Sequence, residues 1–228
     1  MRILGIESAS LVASVAIVTD DVITAEYTVN LKKTHSQTLL PMIDEIVKML
    51  EVPLESIDAI AVSGGPGSFT GLRIGSATAK GLGLALGKPL IHVPTLDATA
   101  YNLYGAGALI CPIMDARRNQ VYTGVYRFRE EFEILREQDA MDMGELLEVL
   151  NGLGEPVIFL GDGVPVFKCQ IRERLTVPFS FAPAHVNRQR AAAVAALGAR
   201  YFAEGKMESS DDHRPDYLRK SQAERERE

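Results

Sequence analysis

The order of apolar and polar positions in the first hundred residues predicts strands and helices in the order β-β-β-α-β-α-β. The strands are short runs rich in Val, Ile and Ala, at 3–7, 12–18, 22–29, 59–63 and 90–93. The helices have apolar or small residues at helical spacing, at 34–50 and 71–86. Thr34, with Gln37 three residues later, has the pattern of a capping box. We therefore expect an antiparallel meander followed by α/β units.

The rest of the chain repeats this order more loosely, which indicates a duplicated architecture. Strands are expected at 109–114, 121–128, 132–138 and 157–160, and helices at 141–150 and 164–175. An alanine-rich helix at 188–203 follows and could pack against either half. We expect a first lobe at 1–100 that is completed by the 188–205 helix, a second lobe at 101–187 and a charged, solvated tail at 206–228.

The composition is that of a globular protein with a sizeable core. Hydrophobic residues make up 46% and charged residues 24% of the 228 positions, which excludes global disorder. The 24 Lys and Arg against 30 Asp and Glu give a net charge of −6, the wrong sign for holding a phosphate backbone over a broad surface. Any contact with nucleic acid is therefore expected to depend on a partner.

The cysteines and the longest uncharged stretch indicate the cellular compartment in which the protein is expected. Cys111 and Cys169 lie far apart in the sequence, so they form neither a disulfide framework nor a zinc knuckle. The stretch at 98–114 contains Gly and Pro and is too short and too broken to span a bilayer. We expect a soluble protein of the reducing cytoplasm, without a membrane partner.

A glycine-rich string at 63–71, called the glycine loop below, joins a predicted strand to a predicted helix. Free backbone N–H groups and the helix dipole at such a junction could receive an anion. The string lacks the Gly-Lys-Ser/Thr ending of a P-loop and the spacing of a dinucleotide fingerprint. Ser68 also fails the pattern of a nucleophile elbow. On local grounds a tight structural turn is favoured over a phosphate cradle.

Small residues recur at every fourth place of the second predicted helix, which lays a smooth ridge along one side. They are Gly71, Gly75, Ala79, Gly83 and Gly87. Interior glycines cost about 1 kcal/mol each relative to alanine, so close packing must offset them. The ridge could pack on the protein's own sheet or receive a helix from another subunit, and the residues themselves leave both interpretations open.

The remaining polar motifs assemble no complete catalytic set. The four histidines, at 35, 92, 185 and 213, show no metal-ligand spacing, and His213 lies in the stretch expected to be solvated. The Asp-Ala-Arg-Arg string at 115–118 is typical of a charged hairpin turn, although a carboxylate beside two guanidinium groups could also bind a ligand or partner. The Gly-Asp-Gly string at 161–163 is typical of a strand-to-helix turn rather than a metal site.

Several longer strings, taken together, carry a resemblance to a known family. They are Leu-Gly-Ile-Glu-Ser at 4–8, the string at 35–41, the long glycine string at 65–73, Ala-Lys-Gly-Leu at 79–82, the string at 115–118 and Pro-Asp-Tyr-Leu-Arg at 215–219. Nearly end to end, the chain is similar to the TsaB family, also called YeaZ. The string Gly-Pro-Gly-Ser-Phe-Thr-Gly-Leu-Arg is the most specific part of the match.

The resemblance implies an α/β fold of two ribonuclease-H-like lobes of the actin and sugar-kinase (ASKHA) superfamily, with a reduced second lobe. It also implies a non-catalytic scaffold subunit in the formation of N6-threonylcarbamoyladenosine in tRNA. The implied partners are the catalytic subunit TsaD, in a heterodimer, and the ATPase TsaE, with tRNA bound only through the complex. The complex uses ATP, this subunit is expected to hold no cofactor or metal, and the chain alone is expected to form a homodimer.

Two departures from the family of the catalytic subunit bear on chemistry. TsaD-like chains carry a His-x3-His metal motif just after a strand similar to residues 89–93, and those two places fall here on Thr95 and Thr99. A threonine hydroxyl is a poor ligand for a transition metal, whereas an imidazole is a good one. Glu7 stands where an Asp is commoner in the first phosphate loop. The vestigial nucleotide loops implied by the resemblance contain Glu7, Ser8, Gly65, Gly67 and Ser68.

The same resemblance places the partner interface on the helices of the first lobe. The expected contact residues are Leu39, Leu40, Ile43, Gly71, Gly75, Ala79 and Gly83. Two other functions stay open: an actin-like ATPase or kinase that uses Glu7 and the glycine loop, and a metallopeptidase, which the lack of a ligand set weakens. ATP turnover by the isolated chain, measured beside TsaD binding, separates the scaffold subunit from the ATPase or kinase.

Overall fold

The computed structural model describes residues 1–31 and 34–218 of the 228-residue chain. The chain divides into two compact units. The first contains Met1–Ala98 and the C-terminal part from Gln189, and the second contains Thr99–Arg188. In the described residues, no helix combines the length and the apolar character that crossing a bilayer requires.

The first unit is built on a five-stranded sheet. Its strands are β1 (Arg2–Glu7), β2 (Ala13–Thr19), β3 (Val22–Val29), β4 (Ala59–Gly65) and β5 (Leu90–Pro94). They lie in the order β3-β2-β1-β4-β5, with β1, β2 and β3 antiparallel and β1, β4 and β5 parallel. The strands β1, β2 and β4 are buried over nearly their whole length, as expected for a sheet covered on both faces.

The second unit repeats this plan. Its strands are β6 (Leu109–Arg117), β7 (Gln120–Phe128), β8 (Phe132–Asp142), β9 (Val157–Leu160) and β10 (Phe179–Phe181). They lie in the order β8-β7-β6-β9-β10, with β6, β7 and β8 antiparallel and β6, β9 and β10 parallel. Because this is the strand order of the first sheet, the duplicated architecture predicted from the sequence is confirmed.

Helices cover both faces of the first sheet. The helices of the chain are α1 (His35–Leu50), α2 (Phe69–Leu86), α3 (Thr95–Tyr101), α4 (Met143–Leu153), α5 (Val164–Arg174) and α6 (Ala191–Ala203). α1 and α2 pack together on one face, where their apolar sides share a core with Leu4 and Ile6. α6 lies against the opposite face, where Gly5 leaves space for its backbone. In the second unit, α4 and α5 share one core with β6, β7 and β9.

Some local features differ from the sequence-based expectation. The side chain of Thr34 makes no cap hydrogen bond at the start of α1, so the predicted capping box is wrong. The patterns predict neither α3 nor β10. A helix of seven residues and a strand of three residues are too short to show a period.

The segment at 207–218, called the C-terminal segment below, is not the solvated tail that its charge predicts. Leu90 and Glu208 exchange backbone hydrogen bonds of 2.9 Å, which adds an antiparallel bridge at the edge of the first sheet. Ser210 and His213 are buried. The open edge of β5 offers backbone groups that this segment satisfies, and this explains its ordered position. Residues 219–228 of the predicted tail lie outside the described residues.

Candidate functional site

The glycine loop leads from the end of β4 into α2, and several of its backbone donors already have acceptors in the chain. The N–H of Gly65 donates to Thr95 Oγ1 (3.1 Å), and the N–H of Ser68 donates to the carbonyl oxygen of Ala9 (2.6 Å). Ser68 also caps α2, because its Oγ accepts a hydrogen bond from the N–H of Gly71 (3.3 Å). Donors that are engaged in this way are not available to a phosphate.

The turn after β1, where the first phosphate loop is expected, is closed in a similar way. Glu7 is buried, and its Oε1 accepts a hydrogen bond from the N–H of Ala9 (2.6 Å). The N–H of Ser8 donates to Ser63 Oγ (3.3 Å), and Ser8 Oγ donates to the carbonyl oxygen of Gly71 (2.9 Å). Ser8 therefore ties the end of β1 to both ends of the glycine loop.

Two glycines of the loop are needed for contacts with the chain's own backbone. A Cβ at Gly67 would overlap the carbonyl oxygen of Ala9, and a Cβ at Gly65 would overlap that of Asp216. Gly65 also has a φ of +119°, in the region that residues with a side chain rarely adopt. These contacts favour the structural turn over the phosphate cradle.

The positions where the resemblance places a catalytic metal motif hold buried threonines. Thr95 and Thr99 are both buried, and Thr95 Oγ1 accepts the hydrogen bond from Gly65. An un-ionised hydroxyl is a poor transition-metal ligand, and this one also fixes the glycine loop. The structure therefore gives Thr95 a positioning role within its own lobe.

The small residues predicted to form a partner interface pack instead against their own chain. A Cβ at Gly71 would overlap the carbonyl oxygen of Ser8, and one at Gly75 would overlap Ser8 Oγ. A Cβ at Gly83 would overlap Ser210 Oγ in the C-terminal segment. The four-residue spacing marks one side of α2, and that side lies against the end of β1 and the C-terminal segment.

Most of the other predicted contact residues are buried as well. Ala79, Leu39 and Ile43 belong to the core of the first unit. Of the predicted contact residues, all of which the structure describes, only Leu40 is exposed, with 53% of its surface accessible. The buried residues of this set are therefore corrected from partner contacts to packing residues, because the apolar side of a helix is the side that faces the core. Leu40 remains available to a partner.

The exposed sides of α1 and α2 carry a different set of residues, called the outer face below. It comprises Leu40, Arg73, Ala77, Gly81 and Leu84. Leu84 is 64% exposed, and a Cβ at Gly81 would meet no atom within 4 Å. The small residues Ala77 and Gly81 beside Leu84 favour the close approach of another helix. The sequence analysis did not identify this face. A signal for it was present in Gly81, a glycine of the same helix that lies outside the four-residue series.

Two histidines that are far apart in the sequence come together in the first unit. His92 of β5 and His213 of the C-terminal segment have ring centroids 5.7 Å apart. His92, His213 and Glu208 each place one ligand atom within 4.8 Å of the others. Three possible ligand atoms therefore meet at one place, which the spacing of the histidines along the chain does not predict. Spacing along the chain reveals only ligands that neighbouring residues supply.

The two short polar turns have the structures that their sequences predict. β6 and β7 form a hairpin in which Asp115 Oδ1 accepts a hydrogen bond from the N–H of Arg117 (2.8 Å), and the two side chains form an ion pair (3.1 Å). Arg117 and Arg118 both have positive φ, so the charged string shapes the turn itself. Gly161 and Gly163 lie between β9 and α5, which confirms the strand-to-helix turn.

Comparison with solved structures defines the class of this fold. The inorganic polyphosphate/ATP-glucomannokinase of Arthrobacter sp. strain KM is 14% identical and superposes with a TM-score of 0.50, over 90% of this chain and 99% of that chain. Together with the repeated strand order of the two sheets, this likeness shows that the chain shares the two-sheet α/β fold of a sugar kinase, which is the fold that the resemblance implied.

Closer relatives identify the family within that class. The family model described as TsaD, tRNA N6-adenosine threonylcarbamoyltransferase, matches residues 23–227. The tRNA threonylcarbamoyladenosine biosynthesis protein TsaB of Bacillus subtilis (strain 168) is 34% identical over 98% of this chain and 96% of its own length. YeaZ from Pseudomonas aeruginosa is 25% identical with a TM-score of 0.81, over 95% of this chain and 99% of that chain. The chain belongs to the TsaB (YeaZ) family of tRNA threonylcarbamoyladenosine biosynthesis proteins.

Proposed function

We propose that this chain is a non-catalytic subunit in the formation of threonylcarbamoyladenosine in tRNA and that it acts by binding the catalytic subunit TsaD. The observation that carries the proposal is the closure of the glycine loop by the chain's own groups at Ala9, Thr95 and Asp216. A subunit of this family whose phosphate loop is filled by its own backbone is suited to support a partner rather than to transfer a group itself.

The chemistry of the individual side chains supports the same proposal. Metal-assisted transfer needs imidazole or carboxylate ligands, and Thr95 and Thr99 supply only hydroxyls. A carboxylate that orients water or Mg²⁺ has to reach the substrate, whereas Glu7 is buried and bonded to the N–H of Ala9. Neither group is placed to act on a substrate.

The outer face supports the partner role. Leu40 and Leu84 are more than half exposed, and Gly81 has open space where a side chain would stand. Exposed apolar side chains beside small residues fit a helix from another subunit. The family model that matches this chain is that of the transferase TsaD, so a partner with related helices fits a pseudo-two-fold pairing across this face.

The net charge of −6 favours a complex in which this chain is not the main tRNA-binding subunit. A chain of this sign gains little from counterion release on tRNA, so tRNA is bound by the assembled complex. The heterodimer recruits TsaE, and the complex consumes the ATP. The free cysteines Cys111 and Cys169 fit the reducing cytoplasm.

Reconstitution of the modification reaction tests the proposal. The product should form only when this chain is combined with TsaD, TsaE and the remaining pathway enzymes. It should not form when this chain or TsaD is left out. Gly81→Leu should weaken TsaD binding and product formation at least about tenfold, without loss of stability, because leucine favours a helix over glycine. The matched control is Gly152→Leu, an exposed glycine of α4 whose Cβ would also meet no atom within 4 Å.

Unchanged TsaD binding by Gly81→Leu would remove the outer face from the proposal. Full product formation by TsaD and TsaE without this chain would overturn the proposed function itself.

The kinase-like fold is the specific observation that favours a second function, an actin-like ATPase. We expect no ATP turnover by the isolated chain, because the donors at Gly65 and Ser68 are occupied. ATP turnover that persists through purification and disappears with Glu7→Gln would favour the ATPase instead.

A further inference from the structure

The C-terminal segment brings two histidines and two carboxylates to the edge of the first sheet. The bridge between Leu90 and Glu208 fixes Glu208 beside β5, the strand that carries His92. A turn closed by a hydrogen bond from the N–H of His213 to the carbonyl oxygen of Ser209 (3.2 Å) returns His213 to the same place. Backbone contacts, rather than the side chains alone, therefore set the position of this cluster.

Carboxylates orient both imidazole rings. His213 Nδ1 lies 2.6 Å from Glu208 Oε1, and His92 Nε2 lies 3.0 Å from Asp216 Oδ2. A carboxylate on one ring nitrogen is the device by which proteins fix the tautomer and direction of a metal-binding histidine. The cluster thus has oriented rings before any ion is added.

His213 carries the observation that points to a ligand. Its side chain has 0% exposure, and within the part of the chain that the structure describes its Nε2 is buried without a hydrogen-bond partner. Buried polar atoms nearly always have a partner, so this nitrogen marks a place where one is missing.

We propose that His92, Glu208 and His213 form a binding site for a divalent transition-metal ion of the Zn²⁺ type. Two imidazoles and a carboxylate are a common donor set for Zn²⁺, with bonds of about 2.0–2.2 Å, so that two ligand atoms on one ion lie about 3.4 Å apart. The observed ligand atoms lie within 4.8 Å of one another, and on binding the ion the Glu208 carboxylate would leave His213 Nδ1, which it contacts at 2.6 Å in the metal-free chain. Asp216 is the carboxylate that positions His92.

The ion would fasten the C-terminal segment to the first sheet beside α2. Lys80 of α2 donates from Nζ to the carbonyl oxygen of His213 (3.3 Å), and the ring of Tyr217 lies on that of Phe69 with centroids 4.6 Å apart. The segment therefore packs along α2, which also contributes to the outer face. The site is a structural one, and its existence does not depend on TsaD binding.

Metal titration of the full, untagged chain tests this site. After chelation and desalting, Zn²⁺ binding is measured by competition with a chromophoric chelator, and Co²⁺ binding by its visible absorption. We expect one ion per chain and a rise in melting temperature on adding Zn²⁺. His92→Gln and Glu208→Gln should each weaken binding by more than about tenfold, and Asp216→Asn by about tenfold.

The matched control is His185→Gln, which removes an exposed histidine of the second unit and should leave Zn²⁺ affinity unchanged. His92 and Glu208 are both partly exposed, so their variants are expected to fold, and circular dichroism checks this before metal is added. Sub-stoichiometric Zn²⁺ and Co²⁺ uptake by the wild-type chain would overturn the proposal. So would equal affinity in His92→Gln, Glu208→Gln and His185→Gln.

Discussion

Gly75 and Gly81 lie on the same helix, but their surroundings differ. A Cβ at Gly75 would overlap Ser8 Oγ, which donates a hydrogen bond to Gly71, whereas a Cβ at Gly81 would enter open space. We expect Gly75→Ala to lower the free energy of unfolding by about 1–3 kcal/mol through overpacking. Gly81→Ala should raise it by up to about 1 kcal/mol, because alanine is the better helix former.

Urea denaturation of the two variants beside the wild-type chain measures both effects. A Gly75→Ala variant as stable as the wild type would mean that Ser8 can move aside without lowering the free energy of unfolding. In that case the packing of α2 against β1 is looser than the hydrogen bond suggests.

The two cysteines should also differ in reactivity. Cys111 is buried, and burial raises the pKa of its thiol to about 12, whereas Cys169 is exposed. Because the thiolate is the reactive form, iodoacetamide at pH 8 should modify one thiol in the native chain and two after unfolding. Mass spectrometry should place the native modification on Cys169, and the Cys169→Ser variant should then stay unmodified. Rapid native modification of Cys111 would contradict its burial.

At the scale of elements, the C-terminal segment acts as part of the first unit. It pairs with Leu90, covers Gly83 through Ser210 and places Asp216 against Gly65. Removing the chain after Met207 should therefore lower the melting temperature and expose the open edge of β5, because buried contacts and backbone hydrogen bonds are lost together. Differential scanning calorimetry and limited proteolysis measure the two effects.

A solvated tail would give the opposite outcome. If the truncated chain melts at the temperature of the full chain, the segment adds nothing to the stability of the first unit. Its contacts with β5 and α2 would then be weak in solution.

At the scale of the whole molecule, we expect self-association to use the outer face that is proposed for TsaD, so that the two assemblies exclude each other. Leu84→Asp should abolish both, since it places a charge at a position that is 64% exposed in the free chain and that we expect either assembly to bury. Val166→Asp, at a 59% exposed position of α5, is the matched control and should leave both intact.

Analytical ultracentrifugation with and without TsaD measures the two assemblies. Added TsaD should convert the homodimer into a heterodimer with one copy of this chain. A variant that loses the homodimer but keeps full TsaD affinity would show that two different faces are in use.

The sequence by itself determined most of the elements and their order. The period of apolar positions depends on each segment's own residues, so strands such as β3 and β9 and helices such as α2 and α5 were predictable within a few residues. The repeated order of strands was predictable for the same reason. The long glycine string also pointed to the family, because so specific a run of residues rarely recurs by chance.

Only the tertiary structure decided which side of each element is covered. The sequence left open whether the ridge of Gly71, Gly75 and Gly83 packs on its own chain or on a partner, and the structure shows Ser8 and Ser210 packed against it. The meeting of His92 with His213 was likewise invisible, because it depends on where the C-terminal segment crosses the sheet edge. Burial and ligand sets depend on residues that are distant in the sequence and close in the fold. Local periodicity does not indicate which distant segment packs against a given strand or helix.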